Sequence, residues 1–206
     1  MNNNLQFYSD QTVEGKIVAS LERISQAFRV LLWQESKEFA LTPLQMQVLI
    51  FLFTQSEEKR KVSYLAKEFN ITKATISDTV KTLEQKSLII KENEILDSRS
   101  YIISLTEKGE EIAEQTSVFA REIYRPIAKL NHDDKYNLLL SLIKVIGHLN
   151  KTGVISVLRM CATCSYYQPS EDKNADFCSL LNQELHQTDL RVDCQEHKML
   201  DFSPTV

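Results

Sequence analysis

The strongest structural signal in this chain lies in residues 62–105, whose sequence is VSYLAKEFNITKATISDTVKTLEQKSLIIKENEILDSRSYIISL. A helical pattern opens at Ser63 and stops at Asn70. Thr72 can cap a second helix, because its hydroxyl can accept an otherwise unpaired backbone N–H of the first turn. Apolar residues then recur at helical spacing, at Ile76, Val80 and Leu83. Two helices joined by so short a connection predict a helix-turn-helix.

Two strand patterns follow the helix pair. Residues 87–91 have the sequence SLIIK and residues 101–105 the sequence YIISL, with a polar turn over residues 92–100 between them. This arrangement predicts a β-hairpin, or wing, after the helix-turn-helix. In helix-turn-helix proteins the second helix presents its N-terminal residues to the major groove of DNA.

Long amphipathic helices are predicted on both sides of this region. Residues 14–39 carry an apolar stripe longer than one domain core usually needs, and Thr42 followed by Pro43 marks the start of the next helix. Thr106 is expected to cap a helix that continues to Pro126, which should kink or break it. The region around Asn131 should cap the last long helix. The predicted fold is therefore mostly α with a small β wing: a winged helix-turn-helix flanked by a helical dimerisation region.

These patterns divide the chain into four predicted segments. Residues 1–40 form an N-terminal dimerisation helix, and residues 41–105 form the winged helix-turn-helix DNA-binding domain. Residues 106–152 supply C-terminal dimerisation helices, and residues 153–206 form a cysteine-rich, metal-binding extension. The length of 206 residues and the hydrophobic content of 43% suit one domain of common size with a small appendix.

The charge distribution is uneven along the chain. The net charge is −4, yet residues 59–99 hold nine basic and six acidic side chains, whereas residues 161–206 hold three basic and eight acidic ones. A basic excess at the helix-turn-helix favours DNA, since phosphate contacts supply most non-specific affinity. No apolar run approaches the about 20 residues that a bilayer span needs. The start of the chain, MNNNLQFYSD, lacks a signal-peptide layout, and we expect a cytoplasmic protein without membrane contact.

Several motifs in this region occur together in one known family. The segment LEQKSLI at residues 83–89 precedes Asp97-Ser98-Arg99, and Leu105-Thr106-x-x-Gly109 follows. In this order the chain resembles the MarR family of winged-helix transcriptional regulators, over roughly residues 14–152. The resemblance implies a homodimer on double-stranded DNA and a small-molecule effector bound between the dimerisation helices and the DNA-binding lobe. Phe28, Trp33 and Phe39 could line such a pocket, although packing in the core explains them better.

The predicted DNA contacts follow from the helix pattern and the resemblance. The recognition helix offers small hydroxyl groups to base edges or phosphates and lysines to phosphates, and the resemblance places the wing arginine in the minor groove. The candidates are Thr72, Lys73, Thr75, Ser77, Lys81 and Arg99. Asp97 is expected to brace the wing. The alternative is that these are solvated positions of a small helical domain. Asp78 departs from the family, which often has a basic residue there.

All four cysteines lie in the last quarter of the chain, in the pattern C-x2-C-x13-C-x15-C formed by Cys161, Cys164, Cys178 and Cys194. A C-x2-C pair brings two thiolates near one tetrahedral ion, and later ligands close such a site. Zinc is the expected ion, held by four cysteines or by three together with His197. An iron–sulfur cluster, a disulfide-forming redox pair and unliganded thiols are the alternatives.

These observations predict a sequence-specific DNA-binding transcriptional regulator, acting as a homodimeric repressor on a pseudo-palindromic operator. Two alternatives remain: a metal- or redox-responsive sensor in which the cysteines switch DNA binding, and a protein-interaction module that uses the acidic extension. An enzyme is not expected. Catalytic zinc leaves a coordination position open beside a general base, whereas this chain has enough candidate ligands for a closed site.

Overall fold

The computed structural model describes residues 12–93, 101–170 and 175–200. The helices are α1 (Val13–Glu38), α2 (Pro43–Thr54), α3 (Val62–Glu68), α4 (Lys73–Gln85), α5 (Glu107–Thr116), α6 (Arg121–Ala128) and α7 (His132–Lys151). The strands are β1 (Ile89–Asn93), β2 (Tyr101–Leu105), β3 (Tyr167–Gln168), β4 (Asp176–Cys178) and β5 (Gln183–Leu185). Strands β1 and β2 form the two-stranded wing. The predicted fold class, mostly α with a small β wing, is confirmed.

The chain divides into two compact units. One comprises Met1–Phe53, Thr79–Ile90 and Leu105–Lys129, and the other comprises Thr54–Asp78, Lys91–Ser104 and Leu130–Val206. Helix α3, the first residues of α4 up to Asp78 and the cysteine-rich extension therefore belong to the same unit, whereas the rest of α4 belongs to the other. No described helix is both long enough and apolar enough to cross a membrane.

The core of the first unit is built on α2, whose residues are almost entirely apolar. Its first turn is closed by Thr42, because the Gln45 N–H donates to the Thr42 hydroxyl at 3.2 Å and the Thr42 N–H donates to the Gln45 side chain at 3.1 Å. This reciprocal pair is a capping box. Fully buried apolar side chains of this unit come from α2, from the second half of α4, from β1 and from α5: Met46, Val48, Leu49, Leu52, Val80, Leu83, Ile89 and Ala113.

Residues 105–109, which contain the motif Leu-Thr-x-x-Gly, join the wing to α5, and the contacts of Thr106 and Gly109 explain the motif. The Thr106 N–H donates to the Leu88 carbonyl at 3.1 Å, and its hydroxyl donates to the Ser87 carbonyl at 2.9 Å. The same hydroxyl accepts from the Gly109 N–H at 3.1 Å and so caps α5, as predicted. A Cβ at Gly109 would lie 1.9 Å from the Leu88 carbonyl oxygen, so this position requires glycine.

Two predicted element boundaries are wrong. The helix after the wing ends at Thr116 and not at Pro126, which instead lies inside α6. At the break, the hydroxyls of Thr116 and Ser117 donate to the carbonyls of Ile112 and Glu114, both at 2.7 Å, and such side-chain bonds compete with helix continuation. The first wing strand begins two residues later than predicted, because Ser87 has a φ of 55° and cannot be extended.

The aromatic residues of α1 do not pack as expected. Trp33 is 50% exposed, with the Lys37 ammonium 3.4 Å from its ring centroid. Phe28 is also partly exposed and meets Phe119 edge-on, with ring centroids 6.2 Å apart. The interpretation of these two side chains as core residues is therefore wrong within a single chain, since both are exposed on the surface of α1.

The second unit contains α3, the start of α4, α7 and the cysteine-rich extension. Asn131 caps α7 by accepting the Asp134 N–H at 2.8 Å, as predicted, and Gly153 with a φ of 76° follows its end. Strands β3, β4 and β5 then form an antiparallel sheet in sequence order. We call the described residues from 157 to 200 the cysteine lobe. Its buried apolar side chains are Leu158, Met160, Cys164 and Leu185.

Candidate nucleic-acid interface and cysteine lobe

The turn of the helix-turn-helix is set by local hydrogen bonds. Helix α3 is followed by Asn70 in the left-handed region, with a φ of 53°, and the Ile71 N–H donates to the Ala66 carbonyl at 3.0 Å. Thr72 then caps α4 by accepting the Thr75 N–H at 3.1 Å, while the two threonine hydroxyls lie 2.8 Å apart. The predicted cap is confirmed, and it holds the first turn of α4 in place.

Helix α4 separates a buried face from an exposed one. Ile76, Val80 and Leu83 are fully buried, which leaves the opposite face to solvent. The predicted contacts on this helix and at its cap are all exposed: Thr72, Lys73, Thr75, Ser77 and Lys81. Asp78 is exposed as well. The predicted wing residues Asp97 and Arg99 lie outside the described residues. The face that would enter a DNA groove thus carries hydroxyl and ammonium groups with one carboxylate.

The four cysteines, which are far apart in sequence, line one cavity of about 20 Å³. Cys161 and Cys164 bracket a 3₁₀ turn, Cys161–Thr163, and the Cys164 N–H donates to the Cys161 carbonyl at 2.9 Å. Cys178 ends β4. The Arg191 N–H donates to the Cys161 sulfur at 3.2 Å, and the Arg191 guanidinium lies 3.8 Å from the Cys194 sulfur. A cavity of this size holds about one water-sized particle.

The thiol chemistry of this cavity suits a soft cation, although the spacing does not yet form a metal site. Burial raises the pKa of the Cys161 thiol, and the other three cysteines raise it further. A metal would therefore have to displace thiol protons when it binds. Within the described ranges, no group of three or more His, Cys, Asp or Glu side chains is arranged to hold an ion. The four cysteines fit zinc by donor type, since thiolates are its usual structural ligands.

The His197 side chain contacts Thr163 and lies outside the cysteine cavity. Its Nε2 lies 3.0 Å from the Thr163 hydroxyl, and it does not line the cavity of the four described cysteines. Burial lowers the pKa of His197. Of the two ligand sets that the sequence left open, the structure places the four-cysteine set together.

Arg159 is a buried charge that the sequence pattern did not single out. Its side chain is 8% exposed. One guanidinium nitrogen donates to Glu68 Oε1 at 2.9 Å and another forms a close ion pair with Glu68 Oε2, so the pair is bidentate. The Nε donates to Asp193, and Nη1 lies 3.5 Å from the Tyr64 hydroxyl. The only sequence signal was a lone arginine in the apolar run VLRM at residues 157–160.

The electrostatics of Arg159 favour the charged form. Burial alone would lower the pKa of its guanidinium, but hydrogen bonds to Glu68, Asp193 and Tyr64 outweigh burial and raise that pKa above its ordinary value. Nearby, the Lys59 ammonium donates to the backbone carbonyl of Gln195. Burial, followed by repulsion from Arg159, lowers the pKa of Lys59. Two buried cations thus connect the region of the helix-turn-helix to the cysteine lobe.

Comparison with known proteins accounts for the central part of the chain. Residues 31–116 match the family model described as transcriptional regulator SarA/Rot. This segment, which is less than half of the chain, is similar to SarA/Rot-type winged-helix regulators. The expectation of a winged-helix regulator is confirmed, and the matched model is narrower than the predicted resemblance over roughly residues 14–152.

Individual relatives agree with this result. An uncharacterised HTH-type transcriptional regulator, YkoM of Bacillus subtilis (strain 168), is 25% identical over 116 residues, which are 56% of this chain and 74% of that protein. The HTH-type transcriptional regulator SarZ of Staphylococcus saprophyticus is 32% identical over 88 residues, or 43% of this chain and 59% of that protein. Both matches leave a large part of this chain unaccounted for.

Solved structures extend the likeness in fold. The S. aureus MepR–DNA complex aligns with a TM-score of 0.56 and 24% identity, covering 64% of this chain and 97% of that one. S. aureus MepR in its DNA-binding conformation aligns with a TM-score of 0.57 and 24% identity, covering 65% and 98%. The solved structures show the fold, and the family match and the regulator relatives identify the chain as a DNA-binding transcriptional regulator, a class of protein that is not an enzyme.

Proposed function

We propose that this regulator is a homodimeric, cytoplasmic repressor of the MarR type, which binds a pseudo-palindromic operator in double-stranded DNA. The observation that carries the proposal is the exposed face of α4, where Thr72, Thr75 and Ser77 can reach base edges while Lys73 and Lys81 reach phosphates. Arg99 of the wing would enter the minor groove, and Asp97 would brace it. A likeness in fold to a MepR–DNA complex supports this mode of binding.

The exposed apolar side chains of α1 and the apolar stripe of α7 support a homodimer. Helix α1 exposes several large apolar side chains, which are Val13, Ile17, Val18, Ile24, Phe28, Val30 and Trp33. Helix α7 has 20 residues and an apolar stripe, yet none of its residues is buried. Helices with such stripes need a partner surface, and a second copy of the chain would provide a symmetric one. Light scattering should give twice the chain mass of 23.8 kDa.

The salt dependence of binding tests the DNA contacts. We expect Lys73→Ala and Lys81→Ala to weaken binding to any duplex and each to reduce the slope of log affinity against log salt by about 1, because each removes one phosphate contact. Lys135→Ala is the matched control, since Lys135 is also an exposed lysine but belongs to α7 and not to the recognition helix. An unchanged slope in both α4 variants would contradict the proposed interface.

The cysteine lobe is a second functional element, and we assign its four cysteines to a structural zinc site. One cavity brings together Cys161, Cys164, Cys178 and Cys194. His197, which lies outside this cavity and contacts Thr163, is the alternative fourth ligand. Bound zinc would cross-link segments that have few apolar side chains of their own. Elemental analysis should find one zinc per chain in the wild type and none in Cys178→Ser. Iron with sulfide would identify an iron–sulfur cluster, and a disulfide without metal would identify a redox sensor.

A larger cavity supports a small-molecule effector. It measures about 550 Å³ and lies between α7 and the cysteine lobe, within the second unit. Its apolar lining includes Ile143, Leu158 and Met160, and its basic groups are Lys144, His148 and Lys151. These features suit a small apolar molecule with one negative charge. Benzoate should raise the midpoint of thermal unfolding, and Lys144→Ala should reduce that shift; no shift with benzoate in the wild type would argue against this ligand class.

A further inference from the structure

The second unit contains a junction between the helix-turn-helix and the cysteine lobe. Arg159 joins them, because its guanidinium binds Glu68 and approaches Tyr64 on α3 while its Nε binds Asp193 beside Cys194. These partners are separated from Arg159 by 91, 95 and 34 residues, respectively. A single buried side chain thus contacts both structural elements.

The lobe side of this junction is tied to the cysteines. The Cys194 N–H donates to the Arg159 carbonyl at 2.9 Å, and residues 159 and 193 form a parallel bridge. Cys194 lines the four-cysteine cavity. A change in the position of Cys194, on metal loss or disulfide formation, would therefore displace the backbone that holds both Arg159 and Asp193.

The other side of the junction supports the recognition helix. Glu68 ends α3 and lies only four residues before Thr72, the residue that caps α4. The turn between them is tight, and it contains Asn70 in the left-handed region. Movement of the end of α3 would thus be passed directly to the exposed first turn of α4, where the proposed DNA contacts begin.

A second contact bridges the same two elements. Lys59 is buried just before α3, and its ammonium donates to the Gln195 carbonyl, next to Cys194. The lobe is therefore attached at two points near one cysteine. Because a buried charge that loses its partner is costly, such a junction favours one geometry over intermediate ones.

We propose that Arg159 is a positioning residue for DNA binding, which couples the four-cysteine site to the helix-turn-helix so that disruption of that site weakens DNA binding. The inference rests on the proposed DNA interface of α4. The input is the state of the cysteines, and the output is the orientation of the first turn of α4. Without Arg159 the helix-turn-helix and the cysteine lobe would each keep their local structure, and only the contact between Lys59 and Gln195 would still join them, so that their coupling would be weakened.

A four-protein cycle tests this coupling in the full chain. The proteins are the wild type, Arg159→Met, Cys178→Ser and the double variant; Cys178 is chosen because it lies on β4, outside the Arg159 contacts. Affinity for a mixed-sequence 40-base-pair duplex at low salt is measured by fluorescence anisotropy. Each single variant should weaken binding by about tenfold, a typical coupling between sites, and the double variant should bind like either single one. Independent effects would multiply to about a hundredfold.

Hydrogen exchange in α3 supplies a readout that is independent of DNA. Exchange of the amides of residues 62–68 should rise to a similar extent in both single variants and no further in the double variant. Arg159→Lys, which keeps the charge but loses the bidentate geometry, should restore part of the affinity. Arg125→Met is the matched control, because Arg125 forms an exposed ion pair with Glu122. Where Arg159→Met loses helix content by circular dichroism, Arg159→Lys and Glu68→Gln replace it in the cycle.

The outcomes separate this inference from the proposed function. If the wild type binds no duplex, while hydrogen exchange in α3 rises in both single variants and no further in the double variant, the DNA interface is wrong and the coupling stands. If the wild type binds DNA but the losses of affinity multiply, or Arg159→Met binds like the wild type, the coupling is overturned and the DNA interface stands. An unchanged affinity in Cys178→Ser would also overturn it.

Discussion

The segment between the wing and α5 and the junction at Arg159 hold their parts together by different physical means. At residues 105–109 the backbone approaches so closely that only glycine fits, and each hydrogen bond joins groups that are near in sequence or in adjoining elements. At Arg159 one buried charge joins segments about 90 residues apart, and the backbone of the same residue is bonded to Cys194, one of the four cysteines of the cavity. The first arrangement depends on no group that binds metal or is oxidised. The second depends on a charge network and on cysteines that can bind metal or be oxidised.

The largest expected effect comes from the close approach at Gly109. Gly109→Ala would place a Cβ 1.9 Å from a backbone carbonyl oxygen, and the wing would have to separate from α5. We expect a loss of at least about 3 kcal/mol in the free energy of unfolding, measured by urea denaturation. The control is Gly147→Ala on α7, where a Cβ meets nothing within 4 Å. That change should stabilise the protein by about 0.5–1 kcal/mol, since alanine favours helix over glycine.

An intermediate effect is expected at the junction. Glu68→Gln keeps the shape of the side chain but leaves the buried Arg159 without its main counter-charge, and we expect a loss of about 2 kcal/mol in the free energy of unfolding. Glu122→Gln is the control, because Glu122 pairs with Arg125 at the surface with 59% of its side chain exposed. There the loss should be below about 0.5 kcal/mol. Equal losses at the two positions would mean that Arg159 is paired no more strongly than a surface arginine.

The features that could be predicted from the sequence are those set by neighbouring residues. The caps Thr72, Thr106 and Asn131 and the start of α2 at Pro43 were predictable, because a cap needs only a hydroxyl or amide and a backbone N–H three residues away. The glycine at 109 was visible as a motif, although its reason, contact with Leu88, lies in another element.

The features that could not be predicted depend on distant contacts. The break at residues 117–120 arises from hydroxyl bonds to the preceding turn, which compete with an apolar pattern that otherwise continues. The roles of Lys59 and Arg159 require knowledge of which segment lies opposite, because a lone basic residue in an apolar run has no partner within its own pattern. The four cysteines were predictable as a set, whereas their shared cavity depends on the β3–β4–β5 sheet.

The smallest expected effect concerns the turn that the junction supports. Thr72→Ala removes the cap of α4 and should cost about 1 kcal/mol, measured as faster hydrogen exchange in the first turn of that helix. Because Thr72 is also a proposed DNA contact, a second variant separates its two roles. Thr72→Asn keeps a good cap but changes the group presented to DNA. If it binds DNA like the wild type, Thr72 acts through the cap. If it binds as weakly as Thr72→Ala while its exchange stays slow, Thr72 acts by direct contact with DNA. The loss of affinity at this position would then not depend on how firmly the turn before α4 is held.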